Sequence, residues 1–217
     1  MDSEMPIVLV PSLSSGLMTN DHQYKQHDGR HARRDRNKVT VVDAYLDLIR
    51  EGNPRPGVAE VAERSGVSHR SVFRYFADKD ELARTSIERQ ESFVVPLLAI
   101  PIDHSLPVQD RVALIVKRRT DLFEAIAPVA RLSRSLAPMQ PILRDELTKA
   151  RAFLRAQLKR LFAPELAAMD KAQAASTLAI LDVLCSFEAL DLLRLDQGLS
   201  ADRTGDALRN ALTAILS

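Results

Sequence analysis

The chain is expected to be all-α, on three observations. From Gly57 to Phe76 the sequence GVAEVAERSGVSHRSVFRYF carries the marks of two short helices joined by a tight turn. Beyond Phe76, apolar residues recur at helical spacing almost to the C-terminus, with prolines as punctuation. No region alternates apolar and polar residues as a half-buried strand would. The expected organisation is a mobile polar tail over residues 1–30, a three-helix unit over 31–77 and a larger helical region over 78–217.

In the tail, Ser, Asn, Asp, Gln and His cluster after Pro11, a composition too polar to bury a core. Arg30 to Lys38, RHARRDRNK, is then basic. Two readings stand side by side for it. It is either a solvated run leading into the first helix, or an N-terminal arm that brings Arg33 and Arg34 to phosphates or a minor groove. Val41, Val42, Ala44, Leu46, Leu48 and Ile49 mark the first helix, and Glu51-Gly52 its end.

Val58, Val61 and Ala62 stand at i, i+3 and i+4, the buried stripe of a short second helix. Gly66 supplies the backbone freedom of the turn, and Val67 plugs the corner. Ser68 is a good N-cap, its hydroxyl oxygen placed to accept from the backbone N–H of Arg70 or Ser71. Val72 and Phe76, four apart, face inward. That leaves His69, Arg70, Ser71, Phe73 and Arg74 on the other surfaces, a donor-rich face suited to the major groove of double-stranded DNA.

The stretch GVAEVAERSGVSHRSVFRYFADKDEL resembles the signature of tetracycline-repressor-like (TetR family) transcriptional regulators, IAxxAGVSxxTLYxYFxxKxxL. Together with the first helix, the resemblance runs from Lys38 to Leu82 in order and spacing. Phe73 stands where the family usually has Tyr, which removes a hydroxyl that often reaches a phosphate. Gly57 stands where Thr or Ser is common; it permits the cap geometry but offers no side-chain partner. The resemblance implies DNA contacts from Ser68, His69, Arg70, Ser71, Phe73 and Arg74, with phosphate contacts from Tyr75, Lys79 and the basic run.

Downstream, Asp78–Leu98 is expected as a helix, with Asp80 and Glu81 favourable to the dipole of its first turn and Pro96 ending or bending it. Pro101 and Pro107 mark a connector. Val108–Ala127 follows, with Val112, Ile115, Val116 and Phe123 along one side. A short helix from Arg131 to Leu136 is expected between Pro128 and Pro138. Pro141–Phe162 is amphipathic, Asp170–Leu195 is expected as a single, strongly apolar helix, and Ala201–Leu216 closes the chain.

The Asp170–Leu195 segment is apolar on more than one side, so it must be covered on more than one side. Paired with the last helix in each of two subunits it would form an intermolecular four-helix bundle, which resembles the family's usual dimer. Leu184, Leu192, Leu208, Leu212 and Ile215 are the expected interface residues. The alternative is that both helices are simply buried within one subunit. The resemblance further implies an unknown small-molecule effector held among the helices between Asp78 and Leu195, whose binding shifts the helix after the DNA-reading unit and releases a repressor from a palindromic operator. Phe93, Phe123, Met139, Phe153 and Phe187 are candidate apolar lining residues, with plain core as the other reading. Arg131 and Arg134 are candidates for meeting an anionic ligand, with a solvated face as the other.

Composition bounds these readings. Net charge is only +1, so DNA binding must come from a local patch. Residues 30–84 hold 12 Lys/Arg against 9 Asp/Glu, a modest excess in the right place. No segment approaches about 18 uninterrupted apolar residues, which excludes a membrane-spanning helix. A positively charged leader is absent and Cys185 is the single cysteine, so the expected location is the cytoplasm of a bacterium. His22, His27 and His31 fall in the polar run with no rigid geometry, and His104 lies in a proline-flanked connector. There is no H-E-x-x-H, G-x-S-x-G or phosphate-cradling glycine loop. No enzymatic activity, metal or cofactor is expected. The competing class is an all-α protein–protein adaptor, or a ligand-independent regulator, with altered DNA binding; Phe73 and Gly57 are its only hints.

Overall fold

A computed structural model describes residues 29–76 and 79–217, so the polar tail, save Gly29 and Arg30, falls outside the described residues. The helices are α1 (Gly29–Arg50), α2 (Val58–Ser65), α3 (His69–Tyr75), α4 (Lys79–Val94), α5 (Val108–Leu136), α6 (Pro141–Leu161), α7 (Ala163–Ala167), α8 (Lys171–Leu184), α9 (Phe187–Asp191) and α10 (Ala201–Leu216). A 3-10 turn, Val95–Leu98, follows α4, and a wide π-turn, Leu192–Asp196, follows α9. Among the described residues there is no strand, and the fold is all-α. No described helix is long and apolar enough to cross a membrane.

The basic run at Arg30–Lys38 opens α1. Two expectations about elements are corrected. Pro128 lies inside α5 instead of separating two helices. It removes one helical N–H at a cost of about 3 kcal/mol. Burial of Val129 and Leu132 in the next turn, at about 1.5–3 kcal/mol each, offsets that loss. The apolar 170–195 segment is broken at Cys185–Ser186. There the Ser186 hydroxyl donates to the Val183 carbonyl (2.7 Å) and accepts from the Ala189 N–H (3.1 Å), local bonds that compete with helix continuation and cap α9.

The chain packs as two compact units. One runs to Phe93 and takes in Ile126–Ala150; the other holds Val94–Ala125 and Arg151–Ser217. The reason lies in the first core. Val41, Val42, Tyr45, Leu46 and Ile49 of α1 meet Val58 and Val61 of α2, Val72 and Tyr75 of α3, and Leu82 of α4; Val129 and Leu132 of α5 join the same cluster. Ile87 of α4 packs with Ala137, Leu143 and Leu147. α1, α2 and α3 therefore share their core with α4 and part of α5.

In that core Tyr45 is fully buried and its hydroxyl has no hydrogen-bond partner among the described residues. Burial pushes the phenol well above its ordinary range. An unsatisfied buried hydroxyl costs about 1–3 kcal/mol. Tyr45→Phe keeps the ring and removes that penalty, so it is expected to raise the urea or thermal midpoint by the equivalent of about 1 kcal/mol. A lowered midpoint would show the hydroxyl to be hydrogen-bonded.

In the second unit Val112, Ile115 and Val116 of α5 pack on Leu158, Leu161 and Phe162, on Leu181 and Cys185, and on Leu208, Leu212 and Leu216 of α10. Leu208 and Leu212, expected at a dimer interface, are thus core of one chain, 5% and 0% exposed. Leu184 and Ile215 are half-buried against the same core. Arg111, itself buried, ties the Leu106 and Leu161 carbonyls together, pairs with Glu165 through both terminal nitrogens and lies 5.8 Å from the Phe162 ring centre.

Candidate nucleic-acid interface

The helix-turn-helix is built by short-range chemistry. α1 ends at Gly52 (φ +99°), with the Asn53 N–H reaching back to the Leu48 carbonyl at 3.0 Å. Gly57 caps α2 without a side chain, but the Glu60 carboxylate reaches back to accept from its N–H at 2.7 Å. Gly66 ends α2 at φ +65°, in open space, so the requirement for glycine is conformational and not steric. Ser68 then caps α3, accepting from the Ser71 N–H at 3.3 Å and donating to the Ser71 hydroxyl at 3.0 Å.

These caps aim α3. Val72 and Tyr75 are its buried side, while His69, Arg70, Phe73 and Arg74 are exposed. His69 and Phe73 meet edge to face at 5.2 Å, one turn apart. Phe73 is 52% exposed on the outward side of α3. Phe76, expected to face inward, is half-buried against the first core. Tyr75 is buried more deeply: it is 6% exposed, and its hydroxyl accepts from Asn37 Nδ2 at 2.8 Å. Tyr75 thus anchors α3 to α1 as well as facing the cleft beside them.

That cleft encloses about 700 Å³. Arg33, Arg34 and Asn37 of α1 form one wall; Ser65 to Ser68 of the turn, with Ser71, Arg74 and Tyr75, form the other. Three arginines and three serines, Ser68 among them, line it, with no carboxylate among the described lining residues. The neighbouring cations are otherwise engaged. Arg64 makes a two-pronged pair with Glu51 (2.7 Å for each bond), Arg89 pairs with Asp43, and Lys38 pairs with Glu81 while lying over the Phe76 ring. Arg33, Arg34, Arg70 and Arg74 form no ion pair among the described residues. The sequence signalled Arg70 and Arg74 as the outward face of α3 and Arg33 and Arg34 only as part of a basic run; the separation of all four from the structural cations is a product of folding. Asn37, missed by sequence reasoning, had as its signal only its position one turn after Arg33 and Arg34.

The side chains of Lys79, His22, His27 and His31 lie outside the described residues. The expected effector-lining residues are divided between the two units. Phe93 is 44% exposed beneath Arg50, and Met139 is 72% exposed, so neither lines an enclosed cavity. Arg131 is exposed and Arg134 half-buried in the first unit. Phe123 and Phe187 do meet, both buried, edge to face at 5.7 Å, with Phe153 half-buried in the same unit. Leu192 is 49% exposed and joins Ile180, Val183 and Leu195 as large apolar side chains open to solvent.

Comparison with known proteins agrees with this geometry. Residues 42–85 match the bacterial regulatory proteins of the tetR family. The fold is similar to that of a transcriptional regulator from Rhodococcus sp. Rha1, with TM-score 0.61 and 20% identity, covering 84% of this chain and 95% of that one. It is also similar to a protein described as a transcriptional regulator from Streptomyces coelicolor A3(2), with TM-score 0.54 and 21% identity, covering 84% and 99%. No curated protein sequence matches the chain. With the match confined to the helix-turn-helix and the fold likeness extending over most of its length, the protein has the fold of a TetR-family DNA-binding transcriptional regulator.

Proposed function

We propose that the protein is a homodimeric repressor that binds an approximately palindromic operator and is released from it by a small molecule. The observation that carries the DNA reading is the group of arginines with no ion pair among the described residues around an exposed α3. Arg70 and Arg74 stand on the helix itself, where a guanidinium can take two acceptors of a guanine edge. Arg33 and Arg34 stand beside the cleft, where phosphate is the natural anion. The exposed Ile180, Val183, Leu192 and Leu195 support self-association, and a two-fold assembly lets one short helix per subunit read two half-sites. α5 and α6 each contribute residues to both compact units, so a ligand in the second unit has a continuous covalent route to the first.

The test is selection of bound duplexes from a random pool at near-physiological salt. Enrichment of an approximate palindrome is the expected outcome. A folded dimer that enriches nothing would favour the adaptor reading. On the selected duplex, Arg70→Ala is expected to cost about 1–3 kcal/mol of specific binding and to relax preference at one position of each half-site. Arg33→Ala should instead weaken all sequences alike and reduce the salt slope by about one. If the two variants behaved alike, the division between base-reading and phosphate-holding arginines would be wrong.

A further inference from the structure

The reading helix α3 presents one apolar side chain among its exposed polar ones. Phe73 stands three residues after Arg70 and one before Arg74, both exposed and both without an ion pair among the described residues. A lone apolar ring in solvent is ordinary on a protein surface and by itself marks nothing. Three observations set this one apart. It lies outside the first core, whose members from α3 are Val72 and Tyr75. It also lies outside the described lining of the arginine cleft, where phosphate is the natural anion. Its ring, moreover, is held in place. His69, one turn earlier, meets it edge to face, with 5.2 Å between ring centres and 68° between ring planes. That contact removes in advance part of the side-chain freedom that binding would otherwise cost.

We propose that Phe73 specifies a thymine in each half-site by packing its ring on the thymine 5-methyl group. This rests on the reading of α3 as the helix that enters the major groove. The base edges there offer donors and acceptors at every pair, and their one apolar group is the methyl on C5 of thymine. A phenyl ring carries neither a donor nor an acceptor. Set against a phosphate oxygen or a purine edge, it would strip water from a polar atom and return no hydrogen bond. Set against the methyl, it takes apolar surface out of water on both partners. Arg70 and Arg74 on either side supply the positive charge that brings a duplex to this face. Arg70 and Phe73 are one helical turn apart, about 5–6 Å between their β-carbons. Base pairs stack about 3.4 Å apart, so the thymine lies within about two pairs of the one that Arg70 reads. His69 acts through Phe73, as a positioning residue that steadies the ring.

Deoxyuridine tests this, because it keeps the pairing of thymidine and lacks only the methyl. On the duplex selected from the random pool, each thymine of a half-site is replaced by it in turn. One position, close to the one that Arg70→Ala relaxes, is expected to lose about three- to fivefold in affinity, the worth of one buried methyl group. Phe73→Ala should bind the thymine duplex at least as weakly as the unaltered protein binds the uracil one, and its thymine-to-uracil ratio should fall close to one. Phe73→Leu should keep part of the ratio. Arg70→Ala should keep all of it while binding more weakly. Because Phe73 is outside the core, circular dichroism of its variants should match that of the unaltered protein. The inference is overturned if the half-site holds no thymine, if every thymine tolerates uracil, or if Phe73→Ala keeps the ratio. A pool that enriches no sequence overturns the DNA reading and this inference with it. An enriched palindrome indifferent to the methyl overturns this inference alone.

Discussion

Val183→Glu is expected to turn the protein into a monomer and to lower affinity for a two-half-site operator by about 10²- to 10⁴-fold. Val183 is 61% exposed and Ile180, one turn before it, 49%; Leu192 and Leu195 add 49% and 57%. The core beneath them is already complete without these side chains, since Leu181, Cys185, Phe187 and Leu190 fill it from the same segment. Four large apolar groups left in water are therefore surplus to the monomer and available to a second copy. The centres of such interfaces are depleted in charge, and a two-fold interface receives each substitution twice. Light scattering during gel filtration and titration of the selected duplex read the two effects. Circular dichroism should be unchanged, because the side chain supports no core. A variant that stayed dimeric with full operator affinity would move the interface elsewhere.

Glu165→Gln should cost about 3–5 kcal/mol, because it leaves Arg111 buried with no counter-charge. In a chain of this size that is a fall in Tm of about 6–20 °C. Arg111 is 4% exposed at its side chain and Glu165 only 17%, so solvent cannot replace the lost partner. The pair also sets a pH dependence. Hydrogen bonding from Arg111 holds the Glu165 carboxyl below its ordinary value. Its contribution is whole above the unfolded value of about 4.3 and is lost as pH falls through the lower folded one. Urea midpoints of the two proteins should therefore differ most near neutrality and converge in acid. A difference that did not change with pH would mean that packing, not charge, is what the substitution removed.

The helix-turn-helix was legible in the sequence because every signal that specifies it acts over a few residues. Gly66 at positive φ, Ser68 on the Ser71 N–H, and the Val58–Val61 stripe are relations of three or four positions, and a linear reading sees them directly. The same holds for the last helix, whose bounds Ala201–Leu216 follow from local pattern. It failed at Pro128 and at the 170–195 segment. In the first, tertiary burial carried a helix through a residue that breaks isolated ones. In the second, a serine took the backbone's hydrogen bonds where hydrophobicity alone reads as continuous.

The sequence by itself determined the all-α class, the turn, the caps and the outward face of α3. Only the tertiary structure decided which charges are occupied. Asn37 finds Tyr75 across 38 positions, Arg89 finds Asp43 across 46, and Arg111 finds Glu165 across 54. Those meetings leave Arg33, Arg34, Arg70 and Arg74 without ion pairs among the described residues at the surface and Arg119 without one in the core. The same long-range packing put Leu208 and Leu212 inside and left Val183 outside. The physical reason is common to all of them: caps and periodicity are set by neighbours along the chain, whereas burial and charge compensation depend on residues that only folding brings together.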